Sequence, residues 1–306
     1  MGTAGAMSRY ADLDGPVHYV DFGGDGPTLV LVHGLGGSHV NWLAAGPRLA
    51  GRARVLALDL AGFGRTPPAG RSARVRANQR LLGRFLDGVA GAPAVLVGNS
   101  MGGMISALEA AQHPERVAGL VLVSPSVPRP RGVPLDRTVA AAFAAYAVPG
   151  VGERFLARYR ARLGLEAVVR ETLRLCCVDP GRVPDEVLAA GFALAREREA
   201  MPWADAAFLQ AARSLLAVLA RPGPYLRVLR SIDVPTLLLH GSGDRLVPLG
   251  SGQHLARQRP DWTFEVFDGV GHVPQIEDPD RFVRAVGGWL AGPGRQAPGA
   301  AKRNVR

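Results

Sequence analysis

Lysine is almost missing from this chain: Lys302, four residues from the last position, is the only one in 306 residues. That absence excludes several chemistries. No Gly-Lys-Ser/Thr phosphate loop can form, and no lysine is placed to carry a Schiff base inside a folded domain. Cysteine is nearly as scarce, and Cys176 and Cys177 are adjacent. Neighbours in sequence cannot build an ordinary disulfide framework, so both are read as small buried hydrophobes of a reducing compartment. No apolar run approaches the eighteen or so residues of a membrane span, no basic-then-apolar segment opens the chain, and Ala6 stands where a myristoylation signal needs Ser or Thr. A cytoplasmic protein without stable membrane insertion is expected. The net charge of +10 comes from scattered arginines with no aromatic-interleaved basic stripe, so nucleic acid is not an expected partner. Gly34-Leu35-Gly36 has His39 where a dinucleotide fingerprint needs its third glycine. With the histidines dispersed, neither a metal nor an organic cofactor is expected.

What the chain does have is apolar residue, close to half of it, enough for one core of roughly 250 residues plus an insertion. Residues 7–23 alternate weakly and end in Gly23-Gly24-Asp25-Gly26-Pro27, an antiparallel edge hairpin. Continuous apolar runs follow at 28–32, 54–58, 94–97 and 117–123, each short and bounded by turn residues, with helical stretches at 42–50, 72–90 and 101–112 between them. Strands that are apolar on both faces and alternate with helices predict a parallel sheet. The rhythm breaks between about 127 and 230, where helical stretches at 151–163, 165–176, 184–198 and 203–219 follow one another. It resumes with strands at 236–239 and 263–267 and helices near 249–258 and 279–291. The expected architecture is therefore an α/β core, 1–126 with 231–291, whose mostly parallel, doubly wound sheet has about eight strands. A helical insertion at 127–230 covers the sheet, and the Gly-, Pro- and Arg-rich 292–306 is read as a disordered basic tail.

Three strand ends carry the chemistry. Gly98-Asn99-Ser100-Met101-Gly102 joins a strand to a helix, and a serine on so sharp a turn needs small residues two positions to either side. Asp244 follows the strand 236–239, and His272, in Gly269-Val270-Gly271-His272-Val273-Pro274, follows 263–267. In a parallel sheet these ends share one edge, so Ser100, His272 and Asp244 can meet as nucleophile, base and orienting acid. His33 and His240 are read as structural, and Asp59 as a pin for the loop that follows it.

His33-Gly34-Leu35-Gly36-Gly37, Asp59-Leu60-Ala61-Gly62-Phe63-Gly64, Gly98-Asn99-Ser100-Met101-Gly102-Gly103, Gly243-Asp244 and Gly271-His272 together resemble the α/β-hydrolase superfamily over about residues 15–290, weakening across the insertion. The resemblance implies an oxyanion hole at the backbone N–H groups of Leu35 and Met101 and makes the insertion a helical cap. Serine at position 100 excludes the aspartate-nucleophile branches, and the missing lysine excludes the lyase branches that need one. A serine hydrolase of a small apolar ester or related acyl compound is expected, with a pocket bounded by Trp42, Trp203, Phe208 and Leu209. The Asn99 elbow is similar to that of hydrolases cleaving carbon–carbon bonds of ring-fission products, although those commonly carry tryptophan where this chain has Val273. A ligand-binding receptor on the same fold is the second alternative.

Overall fold

The computed structural model describes residues 6–292 and residue 294. The strands are β1 (Met7–Asp12), β2 (Pro16–Asp21), β3 (Thr28–Val32), β4 (Arg54–Leu58), β5 (Ala94–Asn99), β6 (Val117–Val123), β7 (Thr236–Gly241) and β8 (Thr263–Phe267). They form one sheet in the order β1-β2-β4-β3-β5-β6-β7-β8. The β1–β2 hairpin is antiparallel, β2 meets β4 antiparallel, and the rest pair in parallel. The edge hairpin, the parallel body and the strand count match the sequence reading.

Side-chain alternation divides each central strand between two cores. Val30 and Val32, Leu56 and Leu58, and Leu96 pack on one face with the helical side chains Leu82, Phe85, Met104 and Leu108. Leu29 and Leu31, Val55 and Ala57, and Val95 and Val97 face the other way, against Trp42, Phe282, Val286 and Trp289. Burial on both faces explains why these strands read as unbroken apolar runs.

The helices of the core are α1 (Gly46–Leu49), α2 (Val75–Phe85) and α3 (Met101–Gln112), and those between β6 and β7 are α4 (Arg137–Ala147), α5 (Val151–Leu163), α6 (Leu165–Cys176), α7 (Asp185–Glu199), α8 (Ala204–Leu219) and α9 (Pro222–Arg230). The last three are α10 (Leu249–Gln258), α11 (Pro274–Glu277) and α12 (Pro279–Ala291). Two stretches differ from expectation. The helix expected at 42–50 is a single 3-10 turn, His39–Trp42, followed by the one-turn α1, because Gly46-Pro47 interrupts it. The helix at 72–90 is regular only as α2 and then widens into a π turn over Leu86–Ala90. No helix among the described residues is long and apolar enough to cross a membrane. The expected tail, apart from Gly292 and Gly294, lies outside the described residues.

The helical insertion is fastened to the loop after β4. The Arg65 guanidinium donates twice to the Glu197 carboxylate, at 2.7 Å each, and Arg198 donates to the carbonyls of Gly64 and Gly62 at 2.8 and 3.2 Å. That loop is itself anchored on Asp59, the residue after β4, which accepts the Arg65 N–H at 2.9 Å.

Candidate active site

The turn between β5 and α3 holds Ser100 at φ 54°, ψ −117°, a left-handed conformation costing about 1–3 kcal/mol for a residue with a side chain. Its neighbours must be small. A Cβ at Gly98 would lie 2.5 Å from the Gly102 carbonyl oxygen, and one at Gly102 would lie 2.2 Å from that of Val32. The first turn of α3 therefore sits directly on the end of β3. The next loop comes equally close, since a Cβ at Gly34 would be 3.0 Å from the Ser100 Cβ. Neither Leu35 nor Met101 gives its backbone N–H to a protein acceptor among the described residues.

Asp244 and His272, in the loops after β7 and β8, are 7% and 3% exposed and joined by a 2.7 Å hydrogen bond from His272 Nδ1 to Asp244 Oδ2. A carboxylate only accepts, so Nδ1 carries the proton and Nε2 is the basic nitrogen of the neutral ring. The other carboxylate oxygen, Oδ1, takes the N–H groups of Leu246 and Val247 at 2.9 Å each. Burial alone would raise the Asp244 carboxyl, but His272, His240 and the backbone donor outweigh it and hold it below the ordinary carboxylate range. Asp244 is thus an anion at neutral pH. His240, with Nε2 donating to the Val247 carbonyl at 2.8 Å, is pushed down by burial and stays neutral beside it.

Two residues that the sequence reading left out of the site belong to its geometry. Ser126 Oγ lies 3.2 Å from Ser100 Oγ, and Ser126 donates its backbone N–H to the Ser100 carbonyl at 3.0 Å. Among the described residues this is the hydrogen bond that Ser100 Oγ makes, and none joins it to His272; such contacts are often loose before substrate binds. Asn99 Nδ2 donates to the carbonyls of Val123 and His272, both at 3.0 Å, and so ties the serine turn to the histidine loop. Asn99 stands out in the sequence as the variable residue of the elbow motif, whereas Ser126 carries no motif signal.

The expected pocket residues separate. Phe208 is half-buried on α8 with its ring 3.3 Å from where a Cβ at Gly36 would sit, and it meets Tyr146 edge-on at 5.2 Å. Trp203 lies under the Arg198 guanidinium at 5.2 Å, beside the Gly62–Gly64 attachment. The other two expectations are corrected. Trp42, the last residue of the 3-10 turn, is fully buried in the core with Phe282, on the sheet face opposite Met101, where its large apolar ring fills the packing under the sheet. Leu209 is fully buried with Cδ2 2.9 Å from the Cβ position of Gly152, filling the α8–α5 contact.

Among the described residues, His18, His39 and Asp59 form the group that could hold a metal ion, with ligand atoms within 4.8 Å of one another. Their hydrogen bonds already complete the group. Asp59 receives His18 Nδ1 at 2.7 Å, His39 Nδ1 at 2.9 Å, and the N–H groups of His39 at 2.6 Å and Arg65 at 2.9 Å. His18 Nε2 is in turn 2.7 Å from Ser8 Oγ. These bonds agree with the reading of Asp59 as a loop pin.

His33 is structural too. Its Nδ1 donates to the Gly34 carbonyl at 2.7 Å and Nε2 accepts the Leu60 N–H at 3.1 Å, while burial pushes its pKa down to about 4. The folded protein keeps this ring neutral, and the unfolded chain protonates it near 6.5. Its contribution to stability is therefore complete above about pH 6.5 and is lost as pH falls toward 4, by roughly 3 kcal/mol at most. Urea unfolding between pH 7 and 4.5 is expected to show that slope and His33→Asn to flatten it; equal slopes would contradict the assignment.

Residues 27–279 match the family model described as the alpha/beta hydrolase fold. The chain belongs to the α/β-hydrolase family. This α/β hydrolase is similar to a pimeloyl-[acyl-carrier protein] methyl ester esterase of Aromatoleum aromaticum, 32% identical over 257 residues that cover 83% of this chain and 94% of that protein. It is equally similar to a 2-hydroxymuconate semialdehyde hydrolase of a Pseudomonas species (strain CF600), 32% identical over 288 residues and 88% of each chain. Among solved structures, a bacterial membrane phospholipase A superposes with a TM-score of 0.73 at 28% identity, covering 96% of this chain and 88% of that one. The α/β hydrolase described here thus has one relative named as a methyl ester esterase and another named as a semialdehyde hydrolase.

Proposed function

We propose that this α/β hydrolase is a serine carboxylesterase that cleaves small esters with an apolar acyl group. The observation that carries the reading is the buried 2.7 Å bond between His272 Nδ1 and Asp244, which leaves Nε2 as a base at the sheet edge where the strained turn holds Ser100. Ser100 Oγ attacks the ester carbonyl as His272 Nε2 takes its proton. The oxyanion is received by the N–H groups of Leu35 and Met101, the latter in the first turn of α3, where no acceptor within the helix exists. Collapse expels the alcohol with the proton from His272 and leaves an acyl group on Ser100. Water, deprotonated by the same nitrogen, then releases the acid. Neither metal nor organic cofactor enters this scheme, and residues 127–230 act as the cap over the core formed by 1–126 and 231–291.

An ester is favoured over a ring-fission product by the cap face that meets the oxyanion loop. That face is aromatic, with Phe208 on Gly36 and Tyr146 against Phe208. A substrate bearing carboxylates would need a cation turned toward it there, and the Arg198 guanidinium is bonded to the carbonyls of Gly64 and Gly62. Hydrolysis of p-nitrophenyl esters from acetate to dodecanoate tests the assignment. Phe208→Ala is expected to move the preferred acyl chain to greater length and to raise KM for short esters several-fold. A variant that loses only thermal stability would remove Phe208 from the pocket. Cleavage of ring-fission dienols without ester turnover would establish the carbon–carbon reading, and binding without repeated turnover the receptor-like one.

A further inference from the structure

Glu277 closes α11 and is 2% exposed. Its two oxygens accept backbone N–H groups that are remote from each other in sequence: Oε2 takes that of Gly271 at 2.7 Å, and Oε1 takes that of Asp179 at 2.8 Å. Gly271 immediately precedes the catalytic histidine, and Asp179 lies just beyond α6, in the helical insertion. The end of α6 and the residues up to Asp179 make further contacts with the same loops. The Cys176 carbonyl accepts the His272 N–H at 2.6 Å. A Cβ at Gly271 would lie 2.2 Å from that carbonyl oxygen, and one at Gly243 would lie 2.3 Å from Val178 Cγ2. Residues 176–179 thus press on the loops of both His272 and Asp244, and Arg182 adds a bond to the Gly269 carbonyl at 3.1 Å.

A buried carboxylate is costly to desolvate, and hydrogen bonds to charged groups are the stronger kind. Glu277 spends that capacity on joining two backbone segments. We propose that Glu277 is a positioning residue for His272: it clasps the cap segment 176–179 to the histidine loop, so that the cap supplies part of the wall that holds the catalytic base. The inference rests on His272 as general base. At this end the cap is a fixed support.

In Glu277→Gln the side chain keeps its shape, but its NH2 group must face one of the two N–H donors, so one tie opens. The full-length enzyme is assayed with the best p-nitrophenyl ester of the series, alone and in the His272→Ala background. The clasp predicts at least a tenfold fall in kcat with KM within about twofold, and no further loss when E277Q is added to H272A, because a group acting through His272 has nothing left to position. A kcat within twofold of wild type, or an equal loss with His272 already gone, would overturn it. Should E277Q not fold, Gly271→Ala pushes the Cys176 carbonyl away by steric contact and is expected to give the same kcat loss and the same silence in H272A. An H272A enzyme at the wild-type rate would instead remove His272 as the base, whereas a normal E277Q beside an inactive H272A would sink only the clasp.

Discussion

Asp244→Asn is expected to leave a folded protein whose ester turnover falls by about four orders of magnitude. The backbone dictates how the new amide sits. Oδ1 of Asp244 receives the N–H groups of Leu246 and Val247, so the asparagine must keep its oxygen there and turn its NH2 toward His272. Facing a donor, Nδ1 becomes an acceptor and the ring proton moves to Nε2. The nitrogen required to take the Ser100 proton then already carries one. Hydrolysis rates and a thermal midpoint measured side by side check this: a midpoint within a few degrees and a rate near background are expected. Turnover within tenfold of wild type would move the orienting acid away from Asp244.

The largest effect on stability is expected at Asp59. Asp59→Asn puts an NH2 group where four donors converge, from His18, His39 twice and Arg65, and should lower the unfolding free energy by about 3–5 kcal/mol. Exposed Glu197, paired with Arg65, provides the contrast, since losing a solvated pair is expected to cost about 1 kcal/mol or less. The acid side has a definite sign. Burial would raise the Asp59 carboxyl, but the two histidine bonds prevail and hold it far below its ordinary value of 3.8. The stability it contributes is present above about pH 4 and is lost as pH falls further. Urea titrations at pH 7 measure the first effect, and a D59N loss below 1 kcal/mol would show that the cluster carries little of the fold.

The parallel sheet was legible because its strands are buried on both faces, which leaves an unbroken apolar signature in runs such as Thr28–Val32 and Val117–Val123. The Ser100 turn was legible for a related reason: the backbone comes so close to Gly98 and Gly102 that no other residue fits, and glycine spacing survives in sequence. Asp244 and His272 could be paired only by assuming that strand ends share an edge, and the 2.7 Å bond agrees with that assumption. Pocket residues were less legible. Trp42 and Leu209 are apolar whether they line a cleft or fill a core, and helix crossing angles, which the sequence does not display, decide which. Ser126 and Glu277 act through single bonds to a hydroxyl and to two backbone N–H groups, and such bonds leave no periodic trace.

The central claim is that Ser100 is a nucleophile activated by His272. Intact-mass spectrometry after exposure to a fluorophosphonate probe, run on wild type, Ser100→Ala and His272→Ala with p-nitrophenyl ester turnover in parallel, tests it most directly. The account predicts one phosphonyl adduct on wild type, none on S100A, slow labelling of H272A, and ester hydrolysis that disappears with the label. A folded wild-type protein that takes up no probe, or an S100A protein that still does, would contradict it.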